Sequence, residues 1–181
     1  MYILFDIEAT CWDGYHSNHD QEVIEIGGVK VDQFNEHISE FQSFVLPCIN
    51  PELSFYCKSL TNISQEEINE APLFEEVYDH FYEWVEPDVD TIFVSWGNFD
   101  RKILDAECER NMNEASFIQN HIDLRGQYAE MKGKKPKLGL MKALLNEGME
   151  FDGQPHRAIP DTLNMMKIFK RYFGNWFIKS F

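Results

Sequence analysis

Positive charge is scarce in this sequence: 16 Lys and Arg stand against 31 Asp and Glu, a net charge of -15. That shortage argues against a protein that grips nucleic acid over a broad surface, because phosphate contacts need Lys or Arg. Cysteine is sparse as well. Cys11, Cys48, Cys57 and Cys108 form no C-x-x-C pair, which leaves neither a zinc knuckle nor a disulfide framework, and they are expected to be reduced and mostly buried. No stretch approaches the roughly 20 apolar residues of a membrane span, and Asp6 falls where a signal peptide would carry its leader. A cytoplasmic location away from membranes is therefore expected. Linkers, repeats and low-complexity segments are absent too, so residues 1–181 are expected to form a single domain.

What is present begins with "MYILFDIEAT", an apolar run with two carboxylates set two positions apart. Along a β-strand, Asp6 and Glu8 face the same way, and Ile3, Phe5 and Ile7 face the other. Two like charges side by side push one another towards protonation unless a cation lies between them. A polar strand face meeting solvent is the alternative. The unbroken "YILF" lead-in argues for a central strand covered on both faces.

Two further strand-like runs, 22–31 and 40–46, suggest a meander. "LTNISQEEI" carries a helix start, with Ser64 as cap, Glu67 three residues on, and Ile63 and Ile68 placed for a hydrophobic staple. Apolar residues from Leu73 to Val85 recur at helical spacing. A buried strand is predicted at 91–96, a helix at 99–110, a strand at 117–122, and helices at 124–131, 137–146 and 159–172. This order predicts an α/β fold, with the fourth strand able to lie beside the first. The turn "SWGNFD" would then bring Asp100 to the sheet end that holds Asp6 and Glu8. In "GQPHRAIPD", Pro160 marks a helix start, Asp161 lies in the first turn, and His156 sits on the preceding loop. An imidazole beside carboxylates that hold metal suits a general base.

"FDIEAT", "NFD" at 98–100 and "HRAIPD" at 156–161 resemble, in order and spacing, the three motifs of the DnaQ-like DEDDh 3′-5′ exonucleases. "EATC", "FYCKSLTNISQ" and "GMEFDGQPHRAIPDTLN" look like the subgroup of histone-mRNA 3′ exonucleases and KapD-type bacterial proteins. The resemblance runs from about residue 2 to 171, and departs at "EIGGV" (25–29) and in lacking an added RNA-binding module. It implies an RNase H-like mixed five-stranded sheet flanked by helices. It also implies release of nucleoside 5′-monophosphates from single-stranded 3′ ends, RNA more than DNA. Two Mg²⁺ or Mn²⁺ ions are implied, with Asp6 bridging them, Glu8 and Asp161 completing one shell, Asp100 on the other ion, and His156 as general base.

Ala9, Thr10, Leu60 and Thr61 are implied to contact substrate, and Phe99 matches an aromatic position on which the terminal base stacks. From charge, "KGKKPKLGLMK" (132–142) is a candidate phosphate-steering edge, with Lys134, Lys135 and Lys137 foremost. The alternatives are a DNA proofreading or repair exonuclease, and a catalytically silent binding module of the same fold. The apolar tail "YFGNWFIKSF" is expected either to dock on the core or to form a homodimer contact, and so acidic a chain suggests a protein partner.

Overall fold

A computed structural model describes residues 1–14, 20–111, 117–118, 120–133 and 136–180. The first strand, β1 (Tyr2–Ala9), is central as its composition predicts. It pairs antiparallel with β2 (Val23–Val31), which pairs antiparallel with β3 (His37–Phe44). On its other side β1 runs parallel to β4 (Ile92–Ser95), which runs parallel to β5 (Asn120–Asp123). This is the expected mixed five-stranded sheet, extended at one edge by the two-residue β6 (Lys179–Ser180).

Helices cover both faces. Ile3, Phe5 and Ile7 of β1 pack with Val77, Phe81 and Val85 of α3 (Phe74–Val85) and with Leu104 and Cys108 of α4 (Phe99–Arg110). Leu4 faces the other way, into a cluster with Val29, Ile168 and Phe169, the last two from α7 (Ala158–Arg171). Alternation along β1 therefore turns Asp6 and Glu8 towards α7. Two adjacent glycines on β2 let the helices approach. A Cβ on Gly27 would lie 2.6 Å from the Ala158 carbonyl carbon, and one on Gly28 would lie 2.9 Å from the Trp84 ring. The "EIGGV" departure is thus where α7 and α3 settle on opposite faces of one strand.

Several predicted limits shift. The third strand, predicted at 40–46, runs 37–44, and the fifth, predicted at 117–122, is described at 120–123. The helix predicted at 137–146 is α6 (Leu140–Asn146), because Trp96 and Arg125 donate to the Leu138 carbonyl at 3.3 and 3.0 Å and hold that stretch extended. The capping box of α2 (Gln65–Asn69) forms as expected between Ser64 and Glu67. A helix the sequence did not announce, α1 (Phe55–Thr61), precedes it. It buries only Cys57 and Thr61, too few apolar positions to register as a period. Cys57 and Cys108 are buried as expected, whereas Cys11 is half-buried and Cys48 exposed. The first part of the tail docks on the core, where Trp176 donates to the Phe169 carbonyl at 3.0 Å and stacks on that ring, whereas Phe177 and Ile178 are exposed. Among the described residues no helix is long and apolar enough to cross a membrane.

One polar cluster ties α5 (Leu124–Met131), α6 and α7 together. Glu147 accepts from the Tyr128 and Tyr172 hydroxyls at 2.8 and 2.6 Å and pairs with Lys132 at 2.9 Å and Arg171 at 3.2 Å. Burial pushes its carboxyl up, but the donors and the Lys132 charge outweigh that and bring it down to about 2. Glu147→Ala is expected to destabilise the fold by about 3 kcal/mol in urea titration, since it leaves Lys132 and Arg171 without their shared carboxylate and removes the acceptor of two tyrosine hydroxyls. Because the folded value is depressed, this contribution is full above the ordinary glutamate value of 4.5 and fades as pH falls towards 2. Equal urea midpoints at neutral pH would refute the expectation.

Candidate active site

Four carboxylates from three elements meet at one end of β1. Asp6 and Glu8 come from the strand and Asp161 from the first turn of α7, with oxygens all within 4.8 Å of one another. Asp100, in the first turn of α4, is 5% exposed and accepts from the Ile7 backbone N–H at 3.3 Å. The β1 to β4 pairing expected from topology thus brings Asp100 against the backbone of Ile7, the residue between Asp6 and Glu8. His156 precedes α7, lies exposed, and lines the same open cleft of about 340 Å³. Its φ is +60°, a left-handed backbone that a non-glycine residue holds only when its surroundings impose it.

The electrostatics follow from this crowding. Burial, then the charges of Asp161, Glu25 and Asp100, push Glu8 up to about 9. Asp6 is raised well above the ordinary carboxylate range by burial and by Asp100, Glu8, Asp161 and Glu25. Burial takes Asp100 to about 7, moderated by backbone N–H donors including that of Ile7. Asp161 is raised by burial against the backbone N–H groups of Arg157 and His156. Carboxylates so close together, three half-buried and Asp100 buried, favour protonation or a cation, and a donor set made only of oxygen fits a hard divalent ion.

The expected substrate contacts separate into three groups. Ala9, Leu60 and Phe99 line the cleft, and Phe99 is 49% exposed there. Thr10 and Thr61 are buried in internal hydrogen bonds and are not among the lining residues. Thr10 Oγ1 accepts from Glu22 N at 2.9 Å, and Thr61 Oγ1 donates to the Cys57 carbonyl at 2.9 Å. Lys137 pairs with Asp123 at 3.3 Å and is not among the lining residues, and Lys134 and Lys135 lie outside the described residues.

Sequence reasoning missed Trp96 and Leu140, which line the cleft, and it missed the contacts of Glu25. Glu25 is fully buried on β2, directly across from Glu8. It accepts from Arg157 Nε and Nη2 and from the Ala158 backbone N–H, each at 3.1 Å. The signal was available: "EVIEIGGV" sets carboxylates into a buried strand just as "FDIEAT" does.

Comparison with known proteins bears on this geometry. Residues 3–169 match the exonuclease family RNase_T. The chain is 33% identical to the probable 3′-5′ exonuclease KapD of Bacillus subtilis, covering 93% of this chain and 82% of that protein. It is 32% identical to human ERI1 exoribonuclease 2, covering 90% of this chain. It spans only 27% of that human relative's length. Among solved structures, the nuclease domain of 3′hExo, a DEDDh family member bound to rAMP, aligns with a TM-score of 0.92 at 27% identity. That match covers 99% of this chain and 96% of that one. A 3′-exonuclease recognising the histone mRNA stem-loop aligns with a TM-score of 0.89 at 27% identity, over 96% of this chain and 63% of the other.

Proposed function

The chain belongs to the RNase_T exonuclease family, as a DEDDh 3′-5′ exonuclease of the histone-mRNA and KapD type, and from that premise we propose that it trims single-stranded 3′ ends, RNA in preference to DNA, releasing nucleoside 5′-monophosphates. One domain spanning residues 1–181 carries the activity. The observation that bears most weight is the convergence of Asp6, Glu8 and Asp161 within 4.8 Å beneath an exposed histidine. The family generally uses divalent metal ions. Two Mg²⁺ or Mn²⁺ ions are proposed here, held by Asp6, Glu8, Asp161 and Asp100. When bound, such ions favour hydroxide formation and stabilise the leaving oxygen.

The chain's own residues supply the rest. His156, at the open side of the cleft, takes a proton from the attacking water. The water oxygen bonds to phosphorus, the bond from phosphorus to the upstream 3′ oxygen breaks, that oxygen keeps the electron pair and takes a proton from solvent, and the phosphate leaves on the 5′ side of the terminal nucleoside. Phe99 and Leu60 offer the terminal nucleotide an apolar floor, which is tolerant of base identity because every base has a π face. Among the described residues the cleft lining includes no Lys or Arg, so affinity for a polyanion rests on the ions and on groups outside that lining.

A time course with 5′-labelled single-stranded RNA and matched DNA, in Mg²⁺, Mn²⁺ or EDTA, tests this. The expected result is a ladder shortening from the 3′ end, faster on RNA, with 5′-monophosphate products and none in EDTA. DNA degraded as fast as RNA would remove the proposed preference. Intact RNA and DNA in every lane from folded protein would remove the activity.

A further inference from the structure

Glu25 is the carboxylate at this site that the reaction leaves unused. It stands directly across the strand pair from Glu8, close enough that its charge bears on Asp6, Glu8 and Asp161. Yet it does not join the three carboxylates whose oxygens converge. Its acceptors are already filled. One oxygen accepts from Arg157 Nη2 at 3.1 Å and from the Gln42 side-chain amide. The other accepts from Arg157 Nε and the Ala158 backbone N–H, each at 3.1 Å. Two donors on each oxygen leave a carboxylate nothing with which to hold an ion.

The other side of the pair is equally tied. The planar Arg157 guanidinium makes a two-point fork on Glu25 and lies over the Phe44 ring at 5.2 Å. Its backbone N–H donates to Asp161 Oδ2 at 3.1 Å. Arg157 is thus fixed to the sheet by its side chain and to α7 by its backbone, and the next residue back is His156 in its left-handed conformation. An exposed residue in that conformation needs an anchor, and the fork from Glu25 lies one residue away.

We infer that Glu25 and Arg157 are positioning residues for the reaction: their fork holds the His156 backbone above the acidic cluster, so that the imidazole meets the attacking water. This rests on His156 being the general base. Placement errors of about 1 Å can lower rates by about 10²-fold, so an anchor that merely loosens has a measurable effect.

The test is a double-mutant cycle on turnover of a labelled RNA oligonucleotide at saturating Mg²⁺, combining Arg157→Lys with His156→Ala. Lysine keeps the charge and loses the fork. Arg157→Lys is expected to lower kcat by about 10- to 100-fold, with KM within about twofold. His156→Ala is expected to lower kcat by about 10²- to 10³-fold, and adding Arg157→Lys to it should cost less than about twofold more. Glu25→Gln, which keeps the shape of the carboxylate, is the second variant and is expected to repeat the pattern if the lysine protein does not fold. Equal fold losses with and without His156 would reveal general structural damage and overturn the positioning role alone. Full kcat in folded Arg157→Lys would also overturn it. Full kcat in His156→Ala would overturn the base assignment, and the pair's role with it.

Discussion

Asp6→Asn is expected to lower exonuclease turnover by about 10³-fold or more, and at the same time to raise the melting temperature of the protein in EDTA. Loss of one well-placed electrostatic contact in a reaction centre commonly costs about 10²- to 10³-fold in rate. Asp6 is at the upper end because one of its oxygens lies within 4.8 Å of oxygens of both Glu8 and Asp161. The stability change has the opposite sign. Asp6 sits where burial and the charges of Asp100, Glu8, Asp161 and Glu25 all disfavour its ionised form, and asparagine removes that strain while keeping the volume.

The pH dependence follows from the same groups. Glu8 is raised from 4.5 to about 9, so across that window the folded chain holds a proton that the unfolded chain has lost. Stability in EDTA should therefore fall as pH rises from about 5 to about 9, because the folded state binds more protons. Added Mg²⁺ or Mn²⁺ should reverse the trend, since ions bind the deprotonated carboxylates and the gain grows with pH. Differential scanning fluorimetry across pH, with and without metal, reads all three effects. A lower melting temperature for Asp6→Asn in EDTA, or an unchanged RNA ladder, would refute the account of the site.

Gly27→Ala is expected to cost about 2–3 kcal/mol of stability and to lower turnover by more than tenfold. The added Cβ would lie 2.6 Å from the Ala158 carbonyl carbon, 2.7 Å from Ala158 Cβ and 2.8 Å from Ile159 N. Backbone cannot swing aside as a side-chain tip can, so the first turn of α7 must lift from the sheet, and Asp161 and the Arg157 anchor lift with it. Gly28→Ala is the control: it meets the Trp84 ring at 2.9 Å on the opposite face, so it perturbs packing under α3 and leaves turnover within about twofold. Native melting and native turnover in Gly27→Ala would refute the close approach.

Much of this was legible in one dimension because the chemistry is written in short local patterns. "FDIEAT" announced itself by setting charge into an apolar strand, and "HRAIPD" by placing His156 and Asp161 about a helix start. The α2 capping box and the α3 stripe were equally local, since each depends on residues three or four apart. What escaped had no such pattern. Helix α1 buries two positions, and a two-residue strand such as β6 has no period at all. The resemblance implies Thr10 and Thr61 as substrate contacts, and it could not show that their hydroxyls bond to backbone groups inside the fold.

The sequence by itself determined the α/β order and the faces of β1, because periodicity and charge placement are properties of neighbours along the chain, and its resemblance to the DEDDh motifs singled out the four acidic residues and the histidine. Only the tertiary structure decided that Asp100 docks against Ile7, 93 residues away, and that Glu25 spends its oxygens on Arg157, 132 residues away. The second contact depends on α7 resting against Gly27 and the first on α4 packing against β1, and both depend on register, which is settled by how whole faces pack and which no short stretch of sequence encodes.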